Sequence, residues 1–219
     1  DYTASGLAFR QIENRIRDVL ETYANTHSKE SSNADTTTNY YEQARANIAK
    51  SLDLSDDFAV IPSGCGTTAA IKRLQELLGI YIPPATKKRY DIKVDKSSLP
   101  LVIVGPYEHH SNEVSFREAL CEIKRVKLTK DGLIDLDHLK KLLKKNKGRE
   151  IIGSFCIASN VTGIITPYKK ISKLLRKYDA LVCFDAAASS PYINIPSKLY
   201  DAMFMSPHKL LGGPGSCGI

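Results

Sequence analysis

Short, continuous apolar runs separated by amphipathic stretches constrain this fold more than any other feature of the chain. Leu101-Val102-Ile103-Val104, Ile151 to Ile157, Ala180 to Phe184 and Ala202 to Met205 are apolar without a polar alternation, and Phe58-Ala59-Val60-Ile61 and Ile123 to Leu128 are weaker examples. Between them, Thr67 to Leu78, Asn112 to Leu120, Leu136 to Leu143 and Pro167 to Tyr178 read as helices, with apolar residues at three- and four-residue steps. Strands that are apolar on both sides need cover on both sides. The pattern predicts an α/β fold with a mostly parallel sheet, covered by helices on both faces.

The first part of the chain has a different rhythm. Leu7, Ile12, Ile16, Val19, Leu20 and Tyr23 fall on one helical face, Asn25 to Thr38 is polar and reads as a loop, and a second helix is expected from about Tyr40 to Leu52. This divides the chain into an N-terminal helical segment, 1–55, and a large α/β domain, 56–219. The polar, proline-containing stretch from Tyr81 to Leu99 reads as a long loop or insertion.

Composition excludes several classes. The 219 residues are 42% hydrophobic and 25% charged, enough for one sizeable core. No run approaches the roughly 18 apolar residues of a membrane helix, and Asp1-Tyr2-Thr3 opens without a leader pattern. Five cysteines, an odd number without metal-ligand spacing, favour reduced thiols and a cytoplasmic setting, with an organelle not excluded. The net charge of +7 draws on Lys140, Lys141, Lys144, Lys145, Lys147 and Arg149. Because Leu136, Leu139, Leu142 and Leu143 recur among them, these are read as the solvated face of a helix and not as a nucleic-acid surface.

In sheets of this kind ligands bind beyond the carboxyl ends of the strands, and chemically useful residues lie there. After the first apolar run come Ser63-Gly64-Cys65-Gly66-Thr67-Thr68. After the next comes Glu108-His109-His110-Ser111-Asn112, then Ser159-Asn160-Val161-Thr162-Gly163, then Asp185, and finally Ser206-Pro207-His208-Lys209. Gly64 to Ala69 also reads as G-x-G-x-x-A, the dinucleotide pattern, but no second strand with a terminal acid follows its helix. A glycine loop at a helix N-terminus still makes a phosphate cradle. His109-His110 lacks metal-site spacing, so no metal is expected, and no G-x-S-x-G elbow points to a hydrolase. Each residue alone has an ordinary structural explanation. Together, a lysine for a Schiff base, an aspartate for a pyridine nitrogen, an imidazole for a ring face and a glycine/threonine helix start for a phosphate fit pyridoxal 5′-phosphate.

The sequence resembles the class V aminotransferase family of fold-type-I pyridoxal-phosphate enzymes, which includes cysteine desulfurases and selenocysteine lyases. The motifs that carry the resemblance are Asp1-Tyr2-Thr3-Ala4-Ser5, Asn25-Thr26-His27, Gly66-Thr67-Thr68, Glu108-His109-His110-Ser111-Asn112, Ser159-Asn160-Val161-Thr162-Gly163, Asp185-Ala186-Ala187 and Ser206-Pro207-His208-Lys209, in that order along almost the whole chain. The resemblance implies that Lys209 carries the Schiff base and moves the substrate proton, that Asp185 pairs with the ring nitrogen and that His109 stacks on the ring. Gly66, Thr67, Thr68, Ser206 and His208 would hold the phosphate, and Asn160 would lie near the cofactor hydroxyl or the substrate carboxylate. It also implies an amino-acid substrate and a homodimer, with neither nucleic acid nor membrane as a partner.

Departures set this chain apart from the best-known desulfurases: Ala188 stands where the family usually has Gln, Ala69 where Glu is frequent, and Ser28 where relatives often show Arg. The sequence also stops at Ile219, soon after the lysine. The resemblance therefore implies that the small C-terminal domain, with the substrate-carboxylate arginine, is missing from it. The leading expectation is an aminotransferase or desulfurase-like lyase. The alternative is an inactive fragment that holds only the cofactor or its phosphate.

Overall fold

Five parallel strands form a single sheet in the order β2-β1-β3-β4-β5, in a computed structural model that describes residues 3–28 and 30–219. The strands are β1 (Leu101–Val104), β2 (Glu122–Arg125), β3 (Ile151–Cys156), β4 (Leu181–Asp185) and β5 (Ala202–Phe204). The expected α/β class and parallel sheet are observed. Every neighbouring pair is parallel, with Val102 opposite Ile123 and Ile152, Phe155 opposite Phe184, and Asp185 opposite Phe204.

Among the described residues, seven α-helices accompany the sheet: α1 (Arg10–Glu21), α2 (Ser32–Ser51), α3 (Gly66–Leu77), α4 (Pro84–Tyr90), α5 (His110–Glu118), α6 (Leu136–Lys145) and α7 (Tyr168–Arg176). The period-two geometry of the strands sorts their side chains into two cores. Leu101, Ile103, Phe155, Val182 and Phe184 face Leu139 and Leu143 of α6 and Ile171 and Leu175 of α7. Val102, Val104, Ile152 and Cys183 face Ala70 and Ile71 of α3 and Phe116 of α5. Gly153 lets α7 close on the sheet, since a Cβ there would strike Leu175. On α6 the lysines point outward, with Leu139 and Leu143 fully buried beneath them.

Three local expectations are corrected. The expected loop from Asn25 to Thr38 gives way to helix at Ser32. The Ser31 hydroxyl caps the Ala34 N–H at 3.2 Å, and Thr36, Thr37 and Thr38 return their hydroxyls to the carbonyls four residues back, so the polar run satisfies itself in helical form. The stretch Tyr81 to Leu99 holds α4, begun by Pro84 at its first position, and a 3-10 turn at Lys96–Ser98. Phe58 to Ile61 is not a strand. Among the described residues it pairs with no strand; a bridge between Ser63 and Gly218 lies just beyond its end, and an apolar cavity of ≈250 Å³, lined among others by Val60, Tyr200, Phe204 and Ile219, lies between it and β5.

The first helix forms where expected, but its apolar face stays open: Ile16 is 46% and Leu20 62% exposed, and α1 buries no residue. Among the described residues, no helix is long and apolar enough to cross a membrane.

Candidate active site

The sheet order reverses between β1 and β3, because the chain leaves β1 toward β2 on one side and returns to β3 on the other. That reversal opens a crevice at the carboxyl ends of the strands, and a pocket of ≈550 Å³ lies there. All nine of the site residues named from sequence line it: Gly66, Thr67 and Thr68 from the start of α3, His109 after β1, Asn160 after β3, Asp185 at the end of β4, and Ser206, His208 and Lys209 after β5. Residues 143 positions apart, from Gly66 to Lys209, are brought together by strand ends and one helix start. Asp1 and Tyr2 of the opening motif lie outside the described residues, while Thr3 and Ala4 reach the pocket wall. The Asn25-Thr26-His27 stretch does not line it.

At one end, the start of α3 faces the turn that carries the lysine. Gly66 has φ +61°, and a Cβ there would come within 3.1 Å of His208 Cε1 and 3.2 Å of Ser206 Oγ. Only glycine leaves that cradle open. The Thr67 N–H donates to Ser206 Oγ at 3.0 Å, while the Thr68 and Ser111 hydroxyls meet at 2.7 Å. The first N–H groups of a helix have no partner within it and carry its positive end, so this corner suits a phosphate.

His109 caps α5. Its Nδ1 accepts the Ser111 N–H at 3.2 Å and lies 2.9 Å from Ser111 Oγ. With Nδ1 accepting, a neutral ring carries its proton on Nε2, an assignment drawn from the network. Asn160 is presented by a turn that the Ser159 hydroxyl folds, accepting the Val161 and Thr162 N–H groups at 3.2 Å each.

Asp185 is 4% exposed. Burial pushes its pKa up; the hydrogen bond from the Ala187 N–H at 2.9 Å and the proximity of His109 and Lys209 pull the other way. Lys209 ends a 3-10 turn, Pro207–Lys209, which the N-terminal segment ties down. Gly6 N–H donates to the His208 carbonyl at 2.7 Å, and Gly212 N–H to the Leu7 carbonyl at 2.7 Å.

One contributor escaped the sequence reading although it sits inside a quoted motif. Glu108 accepts from Gly105 N at 3.1 Å, from Cys156 N at 3.0 and 2.9 Å through its two oxygens, and from Asn112 Nδ2 at 2.6 Å. Asn112 in turn accepts from Ser154 Oγ at 2.6 Å. Part of the Glu108 residue is exposed, but its carboxyl group is enclosed, and that desolvation pushes its pKa up to about 7. Glu108 thus pins β1 to β3 where the two strands part, directly beside His109. The signal available in sequence was a glutamate beyond a strand end; its partner Cys156, 48 residues on, was not visible there.

The chain matches the family model described as Aminotransferase class-V over residues 1–218. It belongs to the class-V aminotransferase family. Relatives within reach of that family include a probable cysteine desulfurase of Chlamydia muridarum, 28% identical over 90% of this chain and 51% of the relative, and one of Haemophilus influenzae, 31% identical over 92% and 44%. Among solved structures, a NifS-like protein from Rickettsia africae superposes on the whole chain with a TM-score of 0.77 at 22% identity, using 56% of its own length. That likeness shows a shared fold. This class-V chain spans about half the length of the curated relatives it matches. No group of three or more metal-ligating side chains occurs among its described residues.

Proposed function

We infer that this chain carries the cofactor half of a pyridoxal-phosphate-dependent enzyme acting on an amino acid, as an aminotransferase or a cysteine desulfurase-like lyase. The observation that carries the reading is the convergence of the Gly66–Thr68 cradle, His109, Asp185 and Lys209 on one pocket. The donor set fits the group. The α3 start with Ser206, Thr68 and His208 would hold a phosphate, and Asp185 would hold a proton on a ring nitrogen. His109 would lie against a ring face, and Lys209 would offer the amine for the cofactor's aldehyde. Pyridoxal phosphate, when bound, supplies that aldehyde and a ring that takes up electrons from the substrate.

The chain's own groups then have separable tasks. The Lys209 amine accepts and returns a proton at the substrate carbon. Burial raises the pKa of Asp185, and the Ala187 N–H, with His109 and Lys209 beyond it, opposes that rise. The Glu108 network fixes the entry to α5 and so the direction of the His109 ring. Action as a homodimer, in a cytoplasmic setting, belongs to the same reading.

The test is the visible absorbance of the purified chain on addition of pyridoxal phosphate, followed by borohydride reduction and peptide mapping. An adduct on Lys209, lost in Lys209→Ala, is the expected result. No absorbance change, or an adduct spread over surface lysines, would sink the reading. Turnover is a separate measurement: amino-group transfer or sulfide release by the same sample identifies the reaction.

A further inference from the structure

The five cysteines divide sharply by environment. Cys156 and Cys183 are buried and Cys121 is half-buried. Burial pushes the Cys121 thiol up to about 11 and raises the other two as well, so all three are poor nucleophiles. Cys65 and Cys217 are exposed. They are far apart in sequence, yet the fold brings their segments into contact. Ser63 and Gly218 form an antiparallel bridge, with Ser63 N–H donating to Gly218 O at 2.8 Å and Gly218 N–H to Ser63 O at 2.9 Å. The Gly218 N–H also reaches Gly64 O at 3.1 Å. A side chain on Gly218 would run into the Gly66 carbonyl, so the two backbones lie directly against each other. Cys217 immediately precedes this contact and Cys65 sits inside it. Both line one pocket of ≈440 Å³, which they share with His208, and Cys65 also lines the candidate active site.

We propose that Cys65 and Cys217 form a dithiol site that reacts with small-molecule disulfides and closes an intramolecular disulfide across the start of α3. One of the two thiols loses its proton, for which the His208 imidazole is the acceptor in the pocket, and its sulfur attacks the disulfide RS–SR. The S–S bond breaks, one RSH leaves with a proton, and a protein–SR mixed disulfide forms. The second cysteine then attacks the protein sulfur of that mixed disulfide and expels the second RSH. Two protein thiols are oxidised, the small disulfide is reduced to two thiols, and no other oxidant takes part. The bond fastens the segment that follows Lys209 to the residue that caps α3.

The test uses the purified chain with oxidised glutathione, read by intact mass and a non-reducing peptide map. The expected product has lost two hydrogens and carries one linked peptide pair joining Cys65 to Cys217. Cys121, Cys156 and Cys183 remain open to alkylation after denaturation. In Cys217→Ser, a single stable glutathione adduct on Cys65 replaces the link. Phenylarsine oxide tests the proximity without oxidation: one equivalent should bind, resist a monothiol, be released by a dithiol, and fail to bind to Cys65→Ser or Cys217→Ser. Separate glutathione adducts on Cys65 and Cys217 without a link, or an arsenical that a monothiol strips off, overturn the proposal. Neither readout involves pyridoxal phosphate, so this inference and the functional reading fail independently.

Discussion

The chain beyond β1 and the end of β4 each bring one carboxylate to the neighbourhood of the crevice, Asp185 lining it and Glu108 not, and the two are treated in opposite ways. Glu108, after β1, is saturated by the protein itself: two backbone N–H groups from different strands and the Asn112 amide occupy its oxygens. The Asp185 carboxylate, at the end of β4, accepts one hydrogen bond among the described residues, from Ala187 N–H, and its remaining capacity faces the pocket. Burial raises both pKa values. Desolvation alone therefore does not mark a functional acid. The difference lies in whether the hydrogen-bonding capacity is already spent on the fold or left for a ligand.

The largest test of this contrast is Glu108→Ala. Leaving the N–H groups of Gly105 and Cys156 without an acceptor should cost about 2–4 kcal/mol of folding stability, measured by urea unfolding. A loss below about 1 kcal/mol would show that the clamp at the strand ends holds little.

Acidity should sharpen the same point. A carboxyl with a folded-state pKa near 7 against an ordinary value of 4.5 binds its proton more tightly in the folded state. Its contribution to stability is therefore full below about pH 4.5 and declines as pH rises through 7. The sign is the reverse of that for a salt-bridged carboxylate, and the change amounts to at most about 3.5 kcal/mol. From pH 5 to pH 9 the unfolding midpoint of wild type should fall relative to that of Glu108→Gln. Parallel behaviour would contradict the assignment.

Asp185→Asn should behave otherwise. Removing a buried charge with a single protein partner leaves stability within about 1 kcal/mol of wild type. The affinity for pyridoxal phosphate should fall roughly ten- to hundredfold, the worth of a charge-assisted hydrogen bond, as read by absorbance titration. If Asp185→Asn destabilises as much as Glu108→Ala and leaves binding intact, the two roles have been exchanged.

Gly66→Ala gives the smallest effect. A left-handed backbone at φ +61° with a Cβ 3.1 Å from His208 should cost about 1 kcal/mol in thermal unfolding, and inorganic phosphate should protect the variant less than wild type. Equal protection would remove this corner as an anion site.

Much of the sheet and of the pocket was legible because both rest on local signals. Continuous apolar runs mark buried parallel strands, and Thr67, His109, Asn160, Asp185 and Lys209 stand just beyond strand ends or at a helix start, where the fold class puts ligands. The family resemblance then supplied roles that spacing alone did not. What failed was non-local or self-satisfying. Phe58 to Ile61 has the composition of a strand but lacks the neighbouring strand that would make it one. The start of α2 looked like a loop because its threonines are polar, although their hydroxyls bond back into the helix. The importance of Glu108 lies in amides on another strand.

The tie between Ser5–Leu7 and the turn around Lys209 has a consequence for the order of synthesis. A ribosome releases the Ser5–Leu7 segment before the lysine turn, which follows about two hundred residues later, so that segment must wait without its partner. Contacts of such long sequence separation form late. The core around β1 and β3 can assemble while translation continues, but the surroundings of Lys209 can take shape only after Gly212 has emerged. The surroundings of Lys209 thus take shape after the core around β1 and β3, whatever the rest of the chain is doing.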